Sequence, residues 1–83
     1  MWLEGGWEDY LHWQQHNPKI LKRINDLIKD AKRSPFSGLG KPEPLKSNLQ
    51  GWWSRRISQE HRLVYRIDRE MIIVMQCRFH YRK

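Results

Sequence analysis

At 83 residues the chain has room for one small domain with a modest core, so residues 1–83 are read as a single unit. Hydrophobic residues make up 39%, five tryptophans adding large apolar area, yet no apolar run nears the roughly 18 residues of a membrane span. The 16 Lys and Arg against 9 Asp and Glu leave a net charge of +7, which points to a polyanionic partner, nucleic acid before acidic protein. The opening Met1-Trp2-Leu3-Glu4-Gly5-Gly6 lacks the basic segment and apolar stretch of a signal peptide. The single cysteine, Cys77, cannot staple a fold and fits a reducing cytoplasm.

Along the chain, Trp7, Tyr10, Leu11 and Gln14 follow the spacing of one helical face, with Trp13 beside them, and predict a helix from Trp7 to about His16. Asn17 suits an N-cap and Pro18 the first helical position, where its missing N–H costs nothing. The second helix follows at once. Ile20, Ile24, Leu27, Ile28 and Ala31 form its apolar stripe, while Lys22, Arg23, Asp26, Lys29 and Asp30 are placed toward water. Lys32 and Arg33 complement the negative helix end, and Ser34-Pro35 stops it. So tight a connection predicts a helical hairpin.

Residues 35–44 hold Pro35, Gly38, Gly40, Pro42 and Pro44 and read as an ordered loop, stiffened by the two prolines that flank Glu43. The period then changes to two. Strands are predicted at Trp52–Ile57, Arg62–Ile67 and Met71–Phe79, with Asp68-Arg69-Glu70 as a turn and a short strand near Leu45-Lys46. With the hairpin turn at Ser58-Gln59-Glu60, Arg56 lies opposite Arg62 and Trp53 opposite Tyr65. In the last strand Met71, Ile73, Met75, Cys77 and Phe79 are assigned to the core, and Ile72, Val74, Gln76, Arg78 and His80 to the other face. Two helices followed by strands predict an α+β fold, an N-terminal helical hairpin packed on one face of a small, mainly antiparallel twisted sheet.

The chemistry-bearing residues cluster in this second half. A loop carboxylate (Glu43), a hairpin crowded with Arg55, Arg56 and Arg62, and a terminal His80-Tyr81 pair are the parts needed to cut RNA without a metal. A carboxylate takes the proton of a 2′-hydroxyl, cations hold the phosphate, and an imidazole protonates the leaving oxygen. Two like charges directly opposite on a strand pair repel, so Arg56 and Arg62 need either a bound phosphate, a nearby Glu43 or Glu60, or an escape into water. His12 and His16 have the i, i+4 spacing of zinc ligands but no third ligand of fitting spacing, so no metal and no cofactor is expected.

Gly-Lys-Pro-Glu-Pro-Leu-Lys at 40–46, Trp-Ser-Arg-Arg-Ile at 53–57, Glu-His-Arg-Leu-Val-Tyr at 60–65 and Cys-Arg-Phe-His-Tyr at 77–81 resemble the YoeB/Txe toxins of the RelE/ParE superfamily. Arg-Ser-Pro-Phe at 33–36 joins them, and the similarity runs from about Trp7 to Tyr81. The resemblance implies a RelE-like microbial ribonuclease fold and a ribosome-dependent mRNA interferase of a type II toxin–antitoxin system. Such a toxin works on the 70S ribosome, with 16S rRNA contacts, and is held inactive by a YefM-like antitoxin. A homodimer is compatible with it. Carried over by motif, Glu43, Arg62, His80 and Tyr81 are the catalytic positions. Lys46, Arg56 and Glu60 shape the site, and Arg55 and Arg78 are further candidates for the phosphate. Only Met1-Trp2-Leu3 precede Glu4-Gly5-Gly6 where the family has a first strand, so that edge strand is expected to be short or lost; Arg82 and Lys83 extend beyond the family's usual His-Tyr end.

Two other functions compete. A gyrase poison of the ParE type would act by binding alone, but such chains generally lack the set Glu43, Arg62 and His80-Tyr81. A plain basic RNA-binding module would have no use for a carboxylate among its cations, because that weakens phosphate binding.

Overall fold

The computed structural model describes residues 1–80. Helix α1 spans Glu4–His16 and α2 Pro18–Arg33, and four strands follow: β1 at Glu43–Pro44, β2 at Trp53–Arg56, β3 at Arg62–Asp68 and β4 at Met71–Gln76. They pair antiparallel in the order β1-β2-β3-β4, and a 3₁₀ turn at Ser47–Leu49 lies between β1 and β2. The N-terminus is not lost from the sheet. Trp2 bridges Val74 in parallel, Leu3 N–H donates to Val74 O at 2.9 Å, and Val74 N–H donates to Met1 O at 2.9 Å.

The junction between the helices is built as its sequence predicts: Asn17 Oδ1 accepts the Ile20 N–H at 3.2 Å, and Pro18 opens α2. The start and the buried face of α1 differ from expectation. The helix begins at Glu4 and buries Gly6, Asp9 and Trp13, whereas Trp7 and Leu11 stay exposed. Gly6 sits so close to β4 that a Cβ there would meet Val74 O at 2.6 Å, and this sets which way the helix faces. Trp7 instead joins Trp2 and Tyr10 in an aromatic cluster with ring centres 4.7–5.9 Å apart.

The main core lies between the helices and one sheet face. Trp13, Ile24, Leu27 and Ala31 meet Leu63, Tyr65, Ile72, Val74 and Cys77 there. On the other face Leu45, Leu49 and Val64 make a second, smaller cluster with Trp52 and Met75, so the segment after β1 roofs part of that face. Among the described residues no helix is long and apolar enough to cross a membrane.

The β2–β3 register is as predicted, with Arg56 opposite Arg62 and Trp53 opposite Tyr65. The edge strand falls at Glu43–Pro44 rather than Leu45-Lys46, and β4 stops at Gln76 rather than Phe79. The face assignment of β4 is corrected too. Ile72, Val74 and Cys77 face the helices, Met75 joins the opposite cluster, and Met71 and Phe79 are exposed. An irregularity between Val64 and Tyr65 lets Tyr65 pair with Val74 and Val64 with Gln76, so simple alternation fails along β4.

Candidate active site

Consecutive residues of a strand point to opposite faces, and β2 uses this to separate two arginines. Arg55 turns inward and is fully buried. Its Nε donates to Tyr65 Oη at 2.9 Å and its Nη1 to Asp30 Oδ2 at 2.7 Å and Leu39 O at 3.0 Å. Its Nη2 donates to Ser34 O at 2.6 Å and Ser37 O at 2.8 Å. A guanidinium has five N–H donors, so all are committed inside the protein. Expected among the phosphate-binding residues, Arg55 is a structural hub with no donor left for a ligand.

Asp30, expected in water, is the buried counter-charge of that hub. The Leu39 N–H, then Arg55 and Arg33, hold its carboxyl down at about 2 against the opposing effect of burial. Tyr65 is pushed up by burial and donates its hydroxyl to Pro35 O at 2.6 Å. Gly38 lies at φ 106°, and any Cβ there would run into the Asp30 carboxylate. The hub thus fixes residues 34–39. Gly40 O then accepts the Arg56 N–H at 2.7 Å, which delivers Pro42 and Glu43 to the sheet edge.

Glu43 pairs with Ser54, which pairs with Val64, which pairs with Gln76, so these four share the helix-free face. Arg56 and Arg62 lie two residues along the same face. Strand geometry places Glu43 diagonally beside Arg56, roughly 7–8 Å away, and on the order of 12 Å from Arg62 between Cα atoms.

Arg56 is exposed and makes no side-chain hydrogen bond or ion pair among the described residues. Arg62 folds one nitrogen, Nη1, over the hairpin turn, donating to Ser58 O at 2.7 Å and to Gln59 O and His61 O at 3.1 Å. Its Nε and Nη2 have no partner among the described residues. That is the edge of a guanidinium that takes two oxygens of a phosphate.

Beyond β4 the backbone is taken over by side chains. Cys77 N–H donates to Asp9 Oδ2 at 3.0 Å, and Cys77 O accepts from Trp13 Nε1 at 2.8 Å, which ends the ladder there. Phe79 N–H donates to His61 Nδ1 at 2.8 Å, and Arg62 N–H donates to Phe79 O at 2.9 Å. This ties the end of the chain to the β2–β3 hairpin. His80 follows, exposed, at the same end of the sheet.

Arg23, Arg56, Glu60, Arg62 and His80 line one open cleft of about 1040 Å³, with Ile57, Ser58 and Gln59 forming its hairpin side. The structure therefore brings together four of the predicted residues: Arg56, Glu60, Arg62 and His80. Glu43 and Lys46 are exposed but stand outside that lining, Glu43 on the adjoining part of the same face. Arg78 lies away from the cleft, its guanidinium 4.6 Å from the Phe79 ring and 6.0 Å from Trp13. Tyr81 lies outside the described residues. Arg23 is the cation that sequence reasoning missed. It was assigned to water, but its Nη2 reaches Arg56 O at 3.2 Å across 33 residues, a contact that helix periodicity carries no signal for. Three arginines against one glutamate make the cleft strongly cationic.

The sequence and the fold match a known group of proteins. The sequence profile of the YoeB-like toxins of bacterial type II toxin–antitoxin systems matches residues 2–81. Toxin YoeB of Escherichia coli K12 is 56% identical over 81 residues, covering 98% of this chain and 96% of that protein. The solved YoeB/ParE toxin from Agrobacterium tumefaciens superposes with a TM-score of 0.95 at 53% identity, over 98% of this chain and 96% of that one. A YoeB–YefM complex from Staphylococcus aureus superposes with a TM-score of 0.93 at 48% identity, over 98% and 94%. The chain belongs to the YoeB-like toxins of type II toxin–antitoxin systems.

Proposed function

We propose that the chain is a ribosome-dependent mRNA endoribonuclease that cleaves the messenger in the ribosomal A site and so halts translation. The observation that carries this reading is the cleft itself: Arg23, Arg56, Arg62 and His80 line one open volume, and Glu43 lies on the adjoining strand edge. At about 1040 Å³ the space lies at or above the ~300–1,000 Å³ of small-ligand pockets, and it is open, as a polymer substrate requires.

In the proposed reaction Glu43 takes the proton from a 2′-hydroxyl, whose oxygen then attacks the adjacent phosphorus. Arg56 and Arg62 hold the phosphate oxygens as charge builds on the pentacoordinate centre. The bond from phosphorus to the 5′ oxygen breaks as His80 delivers a proton to that oxygen. The products are a 2′,3′-cyclic phosphate and a 5′-hydroxyl, with every proton transfer assigned to a side chain. Lys46 adds positive charge beside Glu43, Glu60 shapes the hairpin edge, and Tyr81 positions the nucleotide.

The partner proposed to silence the toxin is a YefM-like antitoxin, as in the Staphylococcus aureus complex, with an acidic C-terminal segment laid over this cleft. The site of action is the 70S ribosome of the cytoplasm, and the free toxin is read as able to pair with a second copy. Toeprinting a programmed, translating ribosome with the purified protein tests the reading. One new messenger end inside the A-site codon is the expected result. An intact messenger would overturn it.

A further inference from the structure

Gln76 is the last residue of β4 and is only 2% exposed, yet it carries a primary amide. Burying an amide costs stability unless its N–H groups find acceptors. Nε2 of Gln76 reaches forward along the chain, donating to Arg78 O at 2.9 Å and to His80 O at 2.8 Å. The two carbonyls lie on either side of Phe79, whose φ of 61° is left-handed. A bulky residue holds that conformation only where its surroundings impose it.

Other groups fix the neighbours: Asp9 and Trp13 hold Cys77, while His61 and the Arg62 N–H hold Phe79. Gln76 grips the carbonyl of His80 itself, from the helix-free face that also carries Arg56 and Arg62. We infer that Gln76 is the positioning residue of His80. By clamping the carbonyls before and after Phe79, it fixes the direction in which the imidazole leaves the backbone toward the phosphate. This inference rests on the proposed reading of His80 as the general acid. Its chemistry lies in the two N–H donors, not in side-chain volume.

Gln76→Met keeps the volume and removes both donors. Single-turnover cleavage at saturating programmed ribosomes is compared for the wild type, Gln76→Met, His80→Gln and the double variant, with a thermal melt and ribosome co-sedimentation of each. The expected result is a rate lowered about 10²-fold in Gln76→Met, the cost of a displaced catalytic group, with co-sedimentation unchanged. In the His80→Gln background the same substitution should slow cleavage no further, because it acts through the imidazole. Wild-type speed in Gln76→Met, or an equal slowing in both backgrounds, would overturn the inference. If His80→Gln itself cleaves like the wild type, the acid reading fails and the inference falls with it. Nuclear magnetic resonance of the wild-type protein supplies a check that needs neither a variant nor catalysis. The Gln76 side-chain amide protons should be resolved and slow to exchange, and exchange at the rate of a free amide would overturn the clamp.

Discussion

Arg55 and Arg56 are neighbours in the chain, identical in chemistry, and put to opposite uses. Strand alternation sends Arg55 inward, where five protein acceptors, Asp30 among them, satisfy the whole guanidinium. It sends Arg56 outward beside Arg62, where it makes no ion pair among the described residues. A cation matched donor for donor gives rigidity, whereas a cation left unmatched keeps its field for a ligand. The hub and the cleft are one device. The hub orders residues 34–39, Gly40 passes that order to Arg56, and Glu43 arrives at the sheet edge already oriented.

The largest expected effect is on chemistry alone. His80→Gln should leave the melting temperature within a few degrees of wild type and slow single-turnover cleavage by about 10²–10⁴-fold, the worth of a general acid. A rate near wild type would remove His80 from the acid role and leave Tyr81 as the next residue to test.

The converse experiment acts on the fold. Arg55→Met takes the buried cation from Asp30, which keeps only Arg33 and the Leu39 N–H, and leaves three loop carbonyls without their donor; it should cost about 3–5 kcal/mol of stability, the range for breaking a buried ion pair. Urea unfolding measures it. A loss below about 1 kcal/mol would show that the hub is not what holds the 34–39 loop. The hub also has an acid limit. Because the Asp30 carboxyl is held below its ordinary value of 3.8, its stabilisation is present above that value and fades as pH falls through about 2.

Arg56→Ala should behave unlike its neighbour. It should melt like the wild type and lose roughly 10–100-fold in cleavage rate, the equivalent of about 1.5–3 kcal/mol for a charge-assisted hydrogen bond. If its stability falls as far as that of Arg55→Met, the division of labour between the two residues is wrong.

Much of this architecture was legible in the sequence, and the exceptions have physical causes. The helical hairpin was readable because Asn17-Pro18 caps and opens α2 locally. The β2–β3 pairing was readable because a short turn fixes its register. The faces of β4 were not, because a register shift between Val64 and Tyr65 and the capture of Cys77 by Asp9 and Trp13 are decided by residues far away in the chain. Asp30 lies three residues beyond Leu27 and so near the buried stripe of α2, where a carboxylate demands a buried cation. That was the available signal for Arg55, and it was passed over. Arg56 and Arg62 were legible as opposed residues of one hairpin, while Glu60 and His80 were named through the family motifs at 60–65 and 77–81. Arg23 needed the tertiary structure.

The smallest predicted effect concerns the tie between hairpin and chain end, a structural element of the cleft itself. His61 accepts the Phe79 N–H at Nδ1, which requires a neutral ring, and packs edge-on to Trp13 with ring centres 4.8 Å apart. Burial chiefly pulls its pKa below the ordinary 6.5; Glu60 opposes this, while Arg78, His80 and Arg62 add to it. A depressed folded-state value means that the unfolded chain binds the proton more readily. The stabilisation is therefore complete above about pH 6.5 and is lost as pH falls through the lower folded value. His61→Phe keeps a ring against Trp13 but cannot titrate. Its melting temperature should fall less than that of the wild type between about pH 7.5 and about pH 5.5. His12 is lowered as well, by burial first and by the His61 charge last, so the variant loses that small contribution along with the titration of His61 itself. Parallel slopes would mean that protonating His61 costs the fold nothing, and that the chain end is held by Gln76 and the Arg62 N–H without help from the imidazole.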